Sequence, residues 1–375
     1  MNWILWIASI ILFVPYAKLL ISYKRGIESL DASNEPTDLS HSNEVSVVVP
    51  FRNERSSWEA FLHSASRQDY NGHIHWIFVN DHSTDGGDTV LNQLATHYGL
   101  NYSIQSLPAE RQGKKWALRE GVEWANSPWI LTTDADTVLH ETWVSTMMTY
   151  TAPSKTLVLG PVQFDPASGL SARLMTLEFS SLMASTAAAV AVGEPIIANG
   201  ANLAIRRSFF LSAWKTRTDL DLSSGDDLFL LHAAKSKPES ISFAWNSNAL
   251  VSTAPPSNWS NWWNQRRRWA AKAAYYTDRQ SQWVSYLVFA YCAFLVFGTI
   301  ASIRADHLYG AVLWGFLAKF IVDWPLLKRM TQFQNTRWSA IEIILMVLFY
   351  PFLTVGVAIH SQLGPIKWKG RSTKA

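Results

Sequence analysis

Nearly uncharged runs long enough to cross a bilayer stand at both ends of this 375-residue chain, so whatever its polar middle folds into must be compatible with membrane segments on either side. Residues 2–22 form the first run, with Trp3, Trp6, Phe13 and Tyr16 in it. About 20 helical residues span ~30 Å of hydrocarbon. The basic residues Lys18, Lys24 and Arg25 come at its end, whereas a cleaved leader carries them before its apolar core. An uncleaved anchor over residues 1–25 is therefore expected, with the chain after it on the cytoplasmic side. Three further apolar stretches lie at about 283–303, 308–327 and 339–360. Four crossings would put the basic tail (Lys367, Lys369, Arg371, Lys374) on the side opposite the middle region, against the charge rule. Pro351 allows a break through which the last segment turns back. Lys319 and Asp323, four apart, share a helix face and can pair there, for packing or for function. Residues 179–192 are also apolar, but only about 14 are clean, which predicts a buried or interfacial helix.

Between these flanks residues 26–44 read as a linker, polar from Asp31 onward and carrying Pro36. Residues 45–49, 74–79, 102–105 and 129–133 are rich in β-branched and aromatic side chains, as strands are. Residues 55–68, 89–98 and 114–124 have helical spacing of apolar positions. Strands separated by helices of this length predict an α/β domain over residues 45–254, with a mostly parallel sheet covered on both faces. Residues 255–281 combine Trp259, Trp262, Trp263 and Trp269 with Arg266, Arg267, Arg268 and Lys272, the pattern of an amphipathic helix on a membrane face. Residues 282–375 complete the chain with the apolar segments and the tail.

A net charge of +3 gives no reason to expect a nucleic-acid partner. The single cysteine, Cys292, excludes a disulfide within the chain and lies in an apolar run unsuited to a reactive thiol. Nineteen tryptophans are many for this length, and those clustered at 259–283 fit a membrane boundary.

Chemistry-bearing residues recur in a fixed order: Asn80-Asp81, Gly113-Lys114, Asp134-Ala135-Asp136, Asp226-Asp227 and Gln265-Arg266-Arg267-Arg268-Trp269. Asp81 and Asp134 each follow a predicted strand, at the carboxyl edge where open α/β sheets bind ligands. Carboxylates there can hold a hard cation, Mg2+ or Mn2+, together with diphosphate oxygens. Taken singly, each fits something plainer. Asp-x-Asp and Asp81 serve equally as turn or cap residues, Asp226 and Asp227 suit a helix start, and Lys114 can be solvated.

Taken together in this order they resemble the family 2 glycosyltransferases of GT-A fold, over residues 45–269. Val47-Val48-Val49-Pro50-Phe51-Arg52-Asn53-Glu54 is similar to the family's opening strand and loop, which implies that Pro50, Arg52, Asn53 and Glu54 hold the nucleoside of a nucleotide sugar, with uridine as the expected base. Asp81 matches the aspartate that contacts that nucleoside, and Lys114 the next element. Asp134 and Asp136 match the metal-binding pair, Asp136 being the expected ligand. Asn199-Gly200-Ala201-Asn202 resembles the loop shaping the sugar pocket, which brings in Gly200 and Asn202. Asp227 inherits the general base, while Asp226 departs from the usual glutamate and is expected on the donor side. Gln265, Arg268 and Trp269 match the Gln-x-x-Arg-Trp of membrane-embedded members such as ceramide glucosyltransferases, and Trp368-Lys369-Gly370-Arg371 is similar to an ending in lipid-modifying ones.

The resemblance implies metal-dependent, inverting transfer of a sugar, from a UDP-sugar by preference, to the hydroxyl of a membrane lipid. The enzyme is expected in a membrane, a bacterial inner membrane sooner than an organelle's, with its catalytic domain in the cytoplasm. A processive polysaccharide synthase would share the site, but three apolar segments after it offer little material for a polymer conduit. A non-catalytic assembly protein would keep the fold without its chemistry. A nicotinamide enzyme would need Gly-x-Gly-x-x-Gly after the first strand, and none is there.

Overall fold

The computed structural model describes residues 2–32, 44–166, 168–217, 225–276, 278–305, 308–363, 366–368 and 371–373. Most of the predicted linker and tail residues Lys369 and Lys374 lie outside the described residues. A long helix, α1 (Asn2–Ala32), opens the chain. Strands and helices then alternate: β1 (Glu44–Phe51), α2 (Trp58–Ser66), β2 (His73–Asn80), α3 (Gly87–His97), β3 (Tyr102–Ser106), α4 (Lys114–Trp124) and β4 (Trp129–Thr132). After them come β5 (Thr137–Leu139), α5 (Trp143–Thr149), β6 (Leu157–Leu159), β7 (Val162–Phe164), α6 (Leu170–Ala191), β8 (Leu203–Arg206), α7 (Arg207–Lys215), α8 (Asp226–Ala234), β9 (Ile241–Phe243) and β10 (Val251–Thr253). The chain ends with α9 (Trp259–Ala271), α10 (Arg279–Ser302), α11 (Tyr309–Phe333), α12 (Ala340–Ser361) and the hairpin of β11 (Ile366–Trp368) and β12 (Arg371–Thr373).

These elements form two compact units. The first holds Asp31–Asp165 and Ile197–Ala254. Its main sheet has the order β3-β2-β1-β4-β8-β6-β9, and a smaller one the order β5-β10-β7. β1, β2, β3 and β4 are parallel, β8 runs antiparallel to β4 and β6, and β9 returns parallel to β6, with helices on both faces. This is the α/β architecture expected, and its first four strands fall where the β-branched runs lie. Val45, Val47 and Val49 of β1 are wholly buried beside Trp76 and Phe78 of β2. Edge-on ring contacts knit α2 to this layer, Trp58 lying 5.0 Å from Phe51 and 5.6 Å from Phe78. Gly121 brings α4 against the strands, since a Cβ there would stand 2.4 Å from Val48.

The second unit gathers Met1–Leu30, Pro166–Ile196 and Pro255–Ala375. Among the described residues, five of its helices are long and apolar enough to cross a membrane: α1 from Leu5, α6, α10, α11 and α12. Ile11, Phe297, Ile300, Leu313, Ile321 and Ile341 stand exposed on them, as lipid-facing side chains do. α6 differs, since most of it is buried, as its short clean stretch foretold; it belongs to this unit and interrupts the predicted 45–254 domain. α1 runs past residue 25 because its end is packed: Tyr23 and Ile27 are buried, and Gly26 meets Val192 and the Ala188 carbonyl. Pro351 removes one backbone donor, yet α12 continues through it, so the break considered for the last segment does not occur. Lys319 and Asp323 do pair, and the Tyr16 hydroxyl donates to Asp323 at 2.6 Å, tying α1 to α11.

Candidate active site

In the α/β unit four segments distant in sequence meet at the carboxyl end of the parallel strands. Lys114, the first residue of α4, forms an ion pair with Asp134 just beyond β4. The Gly200 N–H donates to Asp227 Oδ2 at 3.1 Å, and the Thr132 hydroxyl to the Gly200 carbonyl at 3.2 Å. A Cβ on Gly200 would stand 3.4 Å from Lys114 Nζ and 3.6 Å from Asp227 Cβ, so the lysine and the second aspartate face one another across the glycine. The other Asp227 oxygen accepts from the Leu228 N–H at 2.8 Å, within the first turn of α8, where negative charge is favoured. Burial disfavours the Lys114 ammonium, but Asp134, Asp227 and Asp226 outweigh that and raise its pKa. Side-chain exposures of 32% for Lys114 and 35% for Asp134 leave the pair open to solvent.

The loops after β1 and β2 brace this end of the sheet. Arg52 donates to the carbonyls of Asp81 and His82 at 2.7 and 3.0 Å. Asn53, at a positive φ of 55°, accepts from the Thr84 N–H, and the Asn80 side chain accepts from the Ser83 N–H three residues on. Glu54 accepts from Ser57, and Pro50 is buried in β1. Asp81, nearly buried, takes the Gly113 N–H at 3.1 Å and so fixes the start of α4 that presents Lys114. Asp136 is exposed, two positions beyond Asp134. Among the described residues no three His, Cys, Asp or Glu side chains form a metal site by themselves.

Two expected donor contacts are used otherwise. Asn202 has no exposure, and its amide accepts from Trp143 Nε1 at 2.9 Å and donates to the Pro161 and Ala249 carbonyls, each at 2.8 Å. Its hydrogen-bonding capacity goes into holding the loop behind Gly200. Asp226 is buried against Arg217 at 2.8 Å. That arginine was missed; it also packs over the Trp214 ring at 4.9 Å, and no local sequence pattern marks it as the partner of Asp226.

In the helical unit α9 carries Gln265, Arg268 and Trp269, each half-buried. The arginines were expected at a membrane face, but Arg266 and Arg267 are buried. Arg267 donates to the carbonyls of His360 and Leu363 at the end of α12, and Arg266 pairs with Glu178 of α6. Trp262 has no exposure, while Trp259 and Trp283 are exposed; only part of the tryptophan cluster fits a boundary role. Glu178 also went unnoticed, although a carboxylate in so apolar a stretch is its own signal.

The pattern of glycosyl transferase family 2 matches residues 46–211, and that of glycosyl transferase family group 2 matches residues 129–363, more than half of the chain. The chain belongs to the family 2 glycosyltransferases. No curated protein matches it. Among solved structures, the mannosyltransferase PcManGT from Pyrobaculum calidifontis, in complex with GDP-Man and Mn2+, is similar over 96% of this chain and 99% of its own, with 18% identity and a TM-score of 0.54. The fold is thus the GT-A fold, with apolar helices added at both ends. S. aureus TarS 1-349 in complex with UDP is similar over 88% of this chain and 95% of its own (14% identity, TM-score 0.41). Glucosyl-3-phosphoglycerate synthase from Mycobacterium tuberculosis, with Mn2+, UDP and its product, matches over 58% and 71% (17% identity, TM-score 0.38).

Proposed function

We propose that this enzyme moves a sugar from a nucleoside diphosphate donor, a UDP-sugar by preference, to the hydroxyl of a membrane lipid, with inversion at the anomeric carbon. The observation that carries the reading is the convergence of Lys114, Asp134, Gly200 and Asp227 at one sheet edge. A base and a cation face each other there, as an in-line displacement requires. The two backbone donors on Asp227 orient its carboxylate and leave lone pairs for an acceptor hydroxyl. That hydroxyl gives its proton to Asp227 as its oxygen bonds to the anomeric carbon, and the diphosphate leaves with the electron pair of the broken bond. Lys114, kept charged by its acidic neighbours, meets the negative charge that grows on the diphosphate.

Asp134 and Asp136 supply hard oxygens but no complete cage, which fits a divalent ion shared with donor phosphates. Mg2+ or Mn2+ held there would add positive charge at the leaving group. Arg52, Asn53, Glu54 and Asp81 shape the loops assigned to the nucleoside. Gln265, Arg268 and Trp269 are assigned to the reaction on their match to Gln-x-x-Arg-Trp, as in ceramide glucosyltransferases. Five helices long enough to span a membrane support a lipid acceptor, and the basic residues ending the first apolar run support a cytoplasmic site.

Membranes containing the protein, incubated with a panel of labelled nucleotide sugars and then extracted, should yield one singly labelled lipid. A chelator should abolish it. Label in a polymer, or in no product with any donor, would overturn the reading.

A further inference from the structure

The most deeply buried ion pair of the helical unit sits beside residues assigned to the reaction. Glu178 and Arg266 have side-chain exposures of 4% and 6%. Arg266 Nε donates to both Glu178 oxygens at 2.9 Å, and Nη2 makes a further contact to one of them. The remaining arm, Nη1, donates to Gln265 Oε1 at 3.0 Å. The guanidinium lies 4.2 Å from the centre of the Trp269 ring, and Phe179, next to Glu178, closes on the same ring at 6.2 Å. One cation therefore fixes two neighbours: it turns the Gln265 amide oxygen toward itself and gives the indole of Trp269 a planar seat.

Stability does not explain such a pair. Two buried charges must be stripped of water, and replacing both with apolar side chains of similar volume is often neutral or favourable. What an apolar pair cannot supply is a directed donor for Gln265 and a flat cation for Trp269. We infer that Glu178 and Arg266 are positioning residues, holding Gln265 and Trp269 in the orientation that sugar transfer needs. This inference rests on the function proposed above.

The test replaces both charges at once, Glu178→Leu with Arg266→Met, in the full-length protein in membranes. The double variant should unfold at the wild-type temperature or higher, with donor KM within about twofold and kcat lowered roughly ten- to a hundred-fold, as expected when reacting groups lose their alignment. Wild-type kcat in a folded double variant would overturn the inference. Should the double variant not fold, Arg266→Lys decides in its place: it keeps a cation opposite Glu178 but loses the fork, so the same fall in kcat is expected, and unchanged kcat refutes the idea. The wild type assayed alongside separates the two readings. No transfer by the wild type sinks the proposed function and this inference with it, whereas an active wild type with equally active variants sinks the inference alone.

Discussion

Two ion pairs, one in each unit, divide the labour that charge performs in this molecule. Lys114–Asp134 is about one-third exposed and stands at a strand end, where its members can exchange each other for phosphate or a cation. Arg266–Glu178 is almost fully enclosed and held by several hydrogen bonds, so water is in no position to replace either member. On the proposed function, the open pair is the resting state of a site that receives charge. A closed pair is a fixture that sets the geometry of its neighbours. Exposure, more than distance, separates the two, because water sets what each charge loses when its partner leaves.

The largest effect is expected from Asp227, the proposed base beside the open pair. Asp227→Asn keeps an oxygen for the Gly200 N–H but cannot take a proton, so kcat should fall by about three orders of magnitude with the fold intact. Activity within tenfold of wild type would remove Asp227 from the chemistry. Comparable in energy, but read in stability, is the breaking of the closed pair. Glu178→Leu alone orphans Arg266 and should cost about 3–5 kcal/mol, measured as a lowered unfolding temperature in detergent. A loss below about 1 kcal/mol would mean that water reaches the pair, and the contrast between fixture and resting state would fail.

Asn202 tests whether a residue near the open site can nonetheless be scaffold. Asn202→Ala takes a partner from Trp143 Nε1 and from the Ala249 and Pro161 carbonyls, the last keeping the Val251 N–H, at roughly 1–3 kcal/mol for each group left unsatisfied that water does not reach. Stability should drop while donor KM in the surviving folded fraction stays near wild type. A raised KM with unchanged stability would return Asn202 to the sugar pocket.

The sheet was legible because its period was local. The β-branched runs of β1, β2 and β4, and the spacing within α4, announce strands and helix without help from the rest of the chain, and two of the expected carboxylates do stand at strand ends. The short strands β5 to β10, three or four residues each, carry too little pattern to be read; their pairing is set by partners far away in sequence. The same limit applied to site residues. Asp134 and Asp227 stood out only through the order of motifs that resembles the family; singly, their neighbours mark no more than a turn and a helix start. That Asn202 and Asp226 are consumed by Trp143 and Arg217 depends on contacts no linear pattern encodes. The basic cluster of α9 misled for a related reason: Arg266 and Arg267 read as surface charges until Glu178 and the end of α12 are seen to receive them.

The smallest stability effect should come from the open pair itself, and its pH dependence has a definite sign. Lys114→Met removes an ion pair in contact with water, so the fold should lose about 1 kcal/mol or less, while transfer falls roughly tenfold because the departing diphosphate loses a cation. Burial opposes the Lys114 charge, but Asp134, Asp227 and Asp226 raise its pKa above the ordinary 10.5. A folded-state value above the unfolded one means that the protonated lysine favours folding at any pH below 10.5, and that this contribution fades only as the solution becomes more alkaline. The stability difference between wild type and Lys114→Met should thus be flat across neutral pH and shrink above 10.5. A difference that disappears between about pH 7 and 9 would show the ammonium losing its proton at ordinary pH, with a pKa pushed down instead of up. Lys114 would then be closed off as Arg266 is, and the distinction between the two pairs would no longer rest on exposure.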